Sequence, residues 1–392
     1  MKITFLVYLT LRGDFFMYAA HTQDGLLIYA SEAAKTDNRK RDWFCPHCNH
    51  LVSLKHSQKG KAFFSHKGPC QNQLSEEKRL RLESNNHLSA KKILAEALMK
   101  AGYEVTVEYY FESIQQTADL LIRNPFVNHS MQIIEFQRSP ISANQLQKRQ
   151  KAYLKEVKHC LWLMDDDAFE RGRIQTWHKT MLYYSRENGF HWLALNVAKQ
   201  QIVVKYQVPL IYLATDYPLF EMRLGLDNLG DQCLDLNHTN YPMQSQHYKA
   251  SQPRVRRLLN YQKRLQQLRN QTTYQAAIHQ LYKEGCLIQS LPQWIITEGW
   301  HFLVAKTPGW LIFAWTYCLI IQLSQGVSSF TASQLEQGIE RLIKQGSIEL
   351  LKLPFVEADV CQLLTEAILD KLQEKKLIIQ FQNNEWQVVD LN

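Results

Sequence analysis

Cysteine is scarce in this sequence. There are eight in 392 residues, and only Cys45 and Cys48 form a CxxC pair, with Cys70 following. That is too thin for a disulfide scaffold of this size and fits a reducing, cytoplasmic setting. A membrane-length apolar run is also missing. The longest, WLIFAWTYCLIIQL over 310–323, is too short to span a bilayer and reads as a buried core helix, so no membrane insertion is expected. The opening MKITFLVYLTLRGDFFMYAA imitates a signal peptide, but its apolar run is short and is soon interrupted by Arg12 and Asp14. Low-complexity tracts and fixed-period repeats are absent, which excludes solenoids and compositionally disordered chains.

What is present is ordinary globular material, 45% hydrophobic and 21% charged, long enough for two or three domains. The formal charge of +8 suits a polyanionic partner without demanding one.

The stretch WFCPHCNHLVSLKHSQKGKAFFSHKGPC (43–70) carries the first motif. Cys45 and Cys48 form a knuckle, and His66 and Cys70 close the set as HxxxC after two strand-like runs. A closed set of soft and borderline ligands implies a tetrahedral, structural zinc in a zinc-ribbon-like module whose small core needs the metal. His47, His50 and His56 are rival ligands. The competing reading is a redox CPHC with His66 and Cys70 as surface residues, but no thioredoxin-like βαβ pattern surrounds it.

From residue 76 the pattern becomes helical up to Gly102, with an apolar stripe of Ala90, Ile93, Leu94, Ala97, Leu98 and Ala101. Glu83 falls on that stripe, His87 on its edge and Lys91 one turn further on, on the flank. Alternatively the helix begins after 86, with Asn85 or Asn86 as its cap and Glu83 in a turn. Three strand-like runs come next, YEVTVEYYF, TADLLIR and MQIIEFQ, then a helix SANQLQKRQKAYLKEV and a buried strand HCLWLM. Strand alternation puts Asp119 with Leu121 and Arg123 on one face, and Ile133 with Glu135 and Gln137 on one face.

An α-β-β-β-α-β order with an acid on the second strand and E-x-Q on the third is the arrangement of a restriction-endonuclease-like, PD-(D/E)XK core. Carboxylates on adjacent strands hold Mg²⁺ or Mn²⁺, hard and oxygen-seeking ions. The ion lowers the pKa of water and neutralises charge developing on phosphorus. The third position usually carries lysine. Gln137 can orient water there but brings no charge, and Lys91 on the adjoining helix could supply it.

In order, CPHC…SHKGPC, ESNNHLSAKKIL, VEYYF…ADLL, IIEFQRSPIS and RQKAY resemble the competence protein CoiA family, chiefly over residues 17–165. The resemblance implies a zinc-ribbon-like head and a nuclease core that processes incoming, single-stranded or branched DNA during natural transformation and recombination. It implies His87 and Lys91 as nuclease positions on the helix, with Glu83 beside them, Asp119 and Glu135 as magnesium ligands, and Gln137 in the lysine position. Arg149 and Tyr153 match the helix after the sheet, Arg149 toward phosphate and Tyr153 to stack or position, or else as a solvated arginine above a core tyrosine. Arg138 and Ser139 come after the catalytic strand, within reach of the DNA backbone. Residues 1–16 precede the resemblance, which begins at Met17, so either Met1 or Met17 is the start.

The expected class is mixed, α+β or α/β. Its parts are an extension (1–16), a zinc-ribbon-like module (17–74), a nuclease-like core (75–165), a continuation and linker (166–250), and a mainly helical region (251–392). In the last part, PRVRRLLNYQKRLQQLRNQ is a basic helix. Arg256, Arg257 and Arg264 form either a phosphate track or a solvated face. Trp294, Trp300, Trp310 and Trp315 read as core, and 330–392 as a winged-helix-like unit. The expected function is a Mg²⁺- or Mn²⁺-dependent deoxyribonuclease with a structural Zn²⁺. A catalytically silent DNA-binding adaptor, an interaction protein acting with the recombinase or other competence proteins, and a redox enzyme are the alternatives.

Overall fold

The computed structural model describes residues 19–24, 27–35, 42–45, 49–57, 60, 62–66, 85–125, 130–169, 174–213, 219–226, 247–248, 261–324, 329–382 and 385–389. It is a mixed α+β protein. The first part contains β1 (Ala19–His21), β2 (Leu27–Tyr29), a helical turn α1 (Ala30–Ala33), β3 (Trp43–Phe44), β4 (Leu51–His56) and β5 (Ala62–His66). The strands form an antiparallel sheet in the order β2-β1-β3-β4-β5 over a small core of Ala20, Trp43, Cys45, Val52 and Phe64.

The central part opens on helix α2 (Asn85–Lys100). The strands β6 (Glu104–Phe111), β7 (Gln116–Asn124) and β8 (Ser130–Gln137) come next, then helix α3 (Ala143–Tyr153) and strand β9 (His159–Asp165). The expected α-β-β-β-α-β order is therefore present. Beyond it come α4 (Thr176–Thr180), β10 (Tyr183–Ser185), β11 (Gly189–Asn196), β12 (Gln201–Val208), β13 (Ile211–Leu213), β14 (Leu219–Gly225) and β15 (His247–Tyr248). The central sheet thereby reaches nine strands in the order β15-β14-β12-β11-β9-β8-β7-β6, with β10 paired to β11. The β8–β9 and β9–β11 pairs are parallel and the others antiparallel.

Alternation along the strands divides the apolar side chains between two cores. Leu163, Leu193, Leu195 and Ile134 pack with α2 residues Ala90, Leu94 and Leu98. Trp162, Met164, Trp192 and Ile133 pack with α3 residues Leu146 and Tyr153. Burying each such Leu or Ile contributes roughly 1.5–3 kcal/mol, so tertiary contact outweighs local propensity in fixing both helices. Ser142 caps α3, its hydroxyl accepting from Gln145 N–H in a capping box. The helix ends at Tyr153, one turn earlier than the polar pattern through Val157 suggests.

The C-terminal part has its own large core. It contains α5 (Tyr261–Asn270), α6 (Thr272–Lys283), α7 (Gln293–Thr297), β16 (Trp300–Phe302), α8 (Gly309–Ser324), β17 (Ser329–Thr331), α9 (Ala332–Lys344), α10 (Val360–Glu374), β18 (Ile378–Gln382) and β19 (Glu385–Val388). The apolar run at 310–323 is α8, buried from Gly309 to Ile320. Among the described residues no helix is long and apolar enough to cross a membrane. Trp294, Trp300, Trp310 and Trp315 belong to this core. Helix α8, then β17, α9, α10 and the β18–β19 hairpin, with sheet order β17-β19-β18, has the connectivity of a winged helix.

The start of α8 needs glycine for space. A Cβ on Gly309 would lie 2.3 Å from the Trp300 carbonyl oxygen. Gly309→Ala should therefore lower stability by about 1–3 kcal/mol through backbone displacement, despite alanine's better helix propensity. Thermal unfolding of the variant checks this.

Candidate active site

The site begins where two strands part. β7 and β8 pair from Asn124↔Ser130 to Leu120↔Ile134 and no further. The next residues along each are Asp119 and Glu135. At this point the Asp119 carboxylate takes over from the ladder, and Phe136 N–H donates to its Oδ2 at 2.8 Å. A backbone donor that the departing strand would leave open is thereby satisfied by a side chain. β8 itself stays anchored on its other edge, with Glu135 opposite Trp162 in the parallel pair with β9.

Both helices reach this fork. From α2, His87 Nε2 lies 3.0 Å from Asp119 Oδ2, its ring 5.7 Å from that of Phe136. One turn on, Lys91 is buried, with Nζ 2.6 Å from Glu108 Oε1 of β6. From α3, Arg149 Nη2 donates to Glu135 Oε2 at 2.7 Å and to the Tyr153 hydroxyl at 3.0 Å. Its guanidinium sits 4.9 Å over the Trp162 ring. Tyr153 in turn donates to the Thr117 carbonyl at 2.8 Å, and Trp162 Nε1 to Gln150 Oε1 at 2.7 Å. The arginine is held by fixed partners.

Surroundings drive the two acids apart. Burial pushes Asp119 up, but the hydrogen bond and charge of His87, the charge of Lys91 and the Phe136 N–H outweigh it and bring it down to about 2. Burial pushes Glu135 up, Arg149 pulls it down, and the negative charge of Asp119 adds to the rise, leaving it at about 7. Glu135 Oε1 is buried and has no hydrogen-bond partner among the described residues. An orphaned carboxylate oxygen beside a second, ionised carboxylate is the donor set a hard divalent cation takes.

The structure brings together Asp119, Glu135, His87, Lys91, Arg149 and Tyr153. Lys91 is buried and paired, deeper than a flank position. Tyr153 is fully buried, which leaves it positioning Arg149 and removes a stacking role. Gln137 is turned along the chain, its Nε2 donating to the Ser139 carbonyl at 2.6 Å. Arg138 Nε pairs with Asp165 Oδ2 at 3.2 Å, beyond the end of β8. Arg264 lies on α5, with a long contact from Nη1 to Gln267 Oε1 at 3.4 Å, while Leu265 and Leu268 of that helix are buried. Glu83, Arg256 and Arg257 lie outside the described residues. Two further participants went unread in the sequence, Glu108 and Trp162. The aromatic residue opposite Glu135 was a usable signal for Trp162. For Glu108 the alternation of its strand pointed away from the site.

In the first sheet, Trp43, Val52 and His66 form one row across β3, β4 and β5, and Cys45 comes directly after β3. A knuckle turn ties Cys45 N–H to the His50 carbonyl at 2.8 Å and Asn49 N–H to the Cys45 carbonyl at 2.9 Å. Cys45 and His66 are both buried at that end of the sheet, and burial, with His50 nearby, lowers the His66 pKa and favours the neutral imidazole. Both properties fit a zinc ligand. Cys48 and Cys70 lie outside the described residues, and among the described residues no three His, Cys, Asp or Glu side chains cluster to hold a metal.

Glu135 also makes stability pH-dependent. Its pKa rises on folding from 4.5 to about 7, so between those values the folded protein binds the extra proton and loses stability as pH rises. The full window is worth on the order of 3 kcal/mol. Asp119 acts oppositely, adding stability above its unfolded pKa of 3.8 that is lost as pH falls toward 2. In metal-free protein with chelator, the melting temperature should fall from pH 5 to pH 7.5, and Glu135→Gln should flatten that fall. Thermal scans of both proteins across this range check it.

No curated protein and no solved structure matches the chain. Residues 83–217 match the family model described as competence protein CoiA, nuclease-like domain. The matched residues run from just before α2 through β13, and include the parted strands, both helices that serve them and the two acids. Over these residues, about a third of the chain, the protein is similar to the competence protein CoiA family.

Proposed function

We propose that the protein is a divalent-metal-dependent deoxyribonuclease with a restriction-endonuclease-like core, acting on single-stranded or branched DNA taken up in natural transformation. The observation that supports this best is the pair of acids at the parted strands, one held ionised and the other with an orphaned oxygen. Asp119 and Glu135 would hold Mg²⁺ or Mn²⁺, which supplies charge neutralisation at phosphorus and acidifies water.

The protein's own groups do the rest. His87 and the Phe136 N–H hold Asp119 in one orientation and ionised. Arg149 occupies one oxygen of Glu135 and leaves the other open toward the site. Lys91 supplies the positive charge that the E-x-Q sequence lacks at its third position. Gln137, tied to the Ser139 carbonyl, shapes the turn leaving β8. Arg138, at the end of the same strand, is half-exposed and suited to phosphate. We read the first sheet as a zinc-ribbon-like head holding Zn²⁺ through Cys45, Cys48, His66 and Cys70, with the metal contributing directly to folding. The cytoplasm and partnership with the recombinase or other competence proteins belong to the same reading.

A cleavage assay on single-stranded and branched DNA tests it. Parent protein should cut with Mg²⁺ or Mn²⁺ and stop with chelator. Asp119→Ala and Glu135→Ala should each lose at least about 100-fold in rate, since each removes a charge that acts in the transition state, and Lys91→Ala should be comparably damaging. A folded parent protein that binds DNA and cuts nothing with either metal favours the adaptor. Elemental analysis should give about one zinc per chain, and Cys48→Ser should release it and destabilise the head alone.

A further inference from the structure

Glu108 lies in the middle of an eight-residue strand, yet its φ is +57°. Left-handed backbone at a residue with a side chain is uncommon and strained. The pairing of β6 with β7 is in register on both sides, Val107↔Leu120 and Tyr109↔Ala118, which sets Glu108 across from Asp119. The faces change at this step. Val107 and Leu120 pack in the α2 core, whereas Ala118, and Tyr109 at its margin, pack in the α3 core. The ribbon therefore rolls over where Glu108 and Asp119 meet, beside the point where β8 parts from β7. The roll puts the Glu108 carboxylate against α2, with Oε1 2.6 Å from Lys91 Nζ. Lys91 is 1% exposed, an ammonium that needs a counter-charge at this depth.

From this geometry we propose that Glu108 is a positioning residue of the active site. It holds the Lys91 ammonium at Asp119, and the strained turn of β6 exists to place it there. This rests on the nuclease reading and adds to it. The lysine displaced from the strand to the helix brings its own orienting carboxylate, carried by the neighbouring strand.

The test is a double-mutant cycle in the full-length protein, read in rate and in stability. Glu108→Gln should lower kcat at least about tenfold with KM unchanged, the pattern for an interaction that acts in the transition state. Glu108→Asp should recover part of the loss. Glu108→Gly suits the positive φ and removes the side chain with its carboxylate, so it should be as slow as Glu108→Gln. Lys91→Met with Glu108→Gln should be no slower than Lys91→Met alone, because Glu108 acts through Lys91. Wild-type kcat in Glu108→Gly, or additive losses in the double variant, would overturn the proposal. A folded parent protein that cleaves nothing with either metal fails the nuclease reading instead. The thermal cycle then decides the pairing: Glu108→Gln alone should lower the melting temperature by roughly 5 °C or more and the double variant should regain most of it, and additive shifts would overturn the pair.

Discussion

The hydrogen bond from the Phe136 N–H to the Asp119 carboxylate is the constraint on which the site depends. It lets two strands that are paired over five residues separate without leaving a buried donor open. At the separation each helix delivers a side chain to one acid, α2 sending His87 to Asp119 and α3 sending Arg149 to Glu135. It also fixes Asp119 in orientation, so that His87 meets the same oxygen from the other side. A carboxylate with both partners in place is a rigid anchor; its neighbour Glu135, with one oxygen on Arg149 and the other open, is the adjustable one.

Charge is balanced locally and across elements. Lys91, Glu135 and Arg149 would each be costly at this depth if alone. Each is offset by a group from another element, Lys91 by β6, Glu135 by α3 and Arg149 by β8, and Arg149 also lies over the rings of Tyr153 and Trp162, contacts worth about 0.5–2 kcal/mol each. On the proposed nuclease reading, a strand reading IIEFQ can do without a lysine, because the positive charges come from the helices on either face of the sheet.

Much of this was legible in local pattern. The period of two along MQIIEFQ placed Ile133 and Glu135 on the α3 face, and the stripe of α2 placed Ala90, Leu94 and Leu98 in the core. Gln137 was legible as a neighbour on the strand, while the direction of its amide depends on the turn at Ser139. Glu108 was hidden because YEVTVEYYF alternates loosely, with an apolar residue at every odd position, as though one face were apolar throughout. Its odd positions serve two cores, and the left-handed residue that divides them is not a glycine. That Cys45 and His66 share one end of a sheet was legible by spacing, since a tight turn and a hairpin bring side chains together through short-range chain geometry. Contacts made across hundreds of residues have no such signature.

One of those contacts concerns the timing of assembly. Phe355 stacks on Tyr183 with ring centroids 4.7 Å apart and sits 6.1 Å from Trp162, the ring beneath Arg149. Nearby, Lys352 Nζ bonds Asn144 Oδ1 across 208 residues. A chain leaving the ribosome folds its earlier portions first. The nuclease-like sheet can therefore form while its α3 face still lacks the Phe355 cover, and that face is closed only when almost the whole chain has emerged. Release of a prematurely terminated chain would remove the Phe355 ring from Trp162 and Tyr183, uncovering apolar surface of the sort chaperones and proteases recognise.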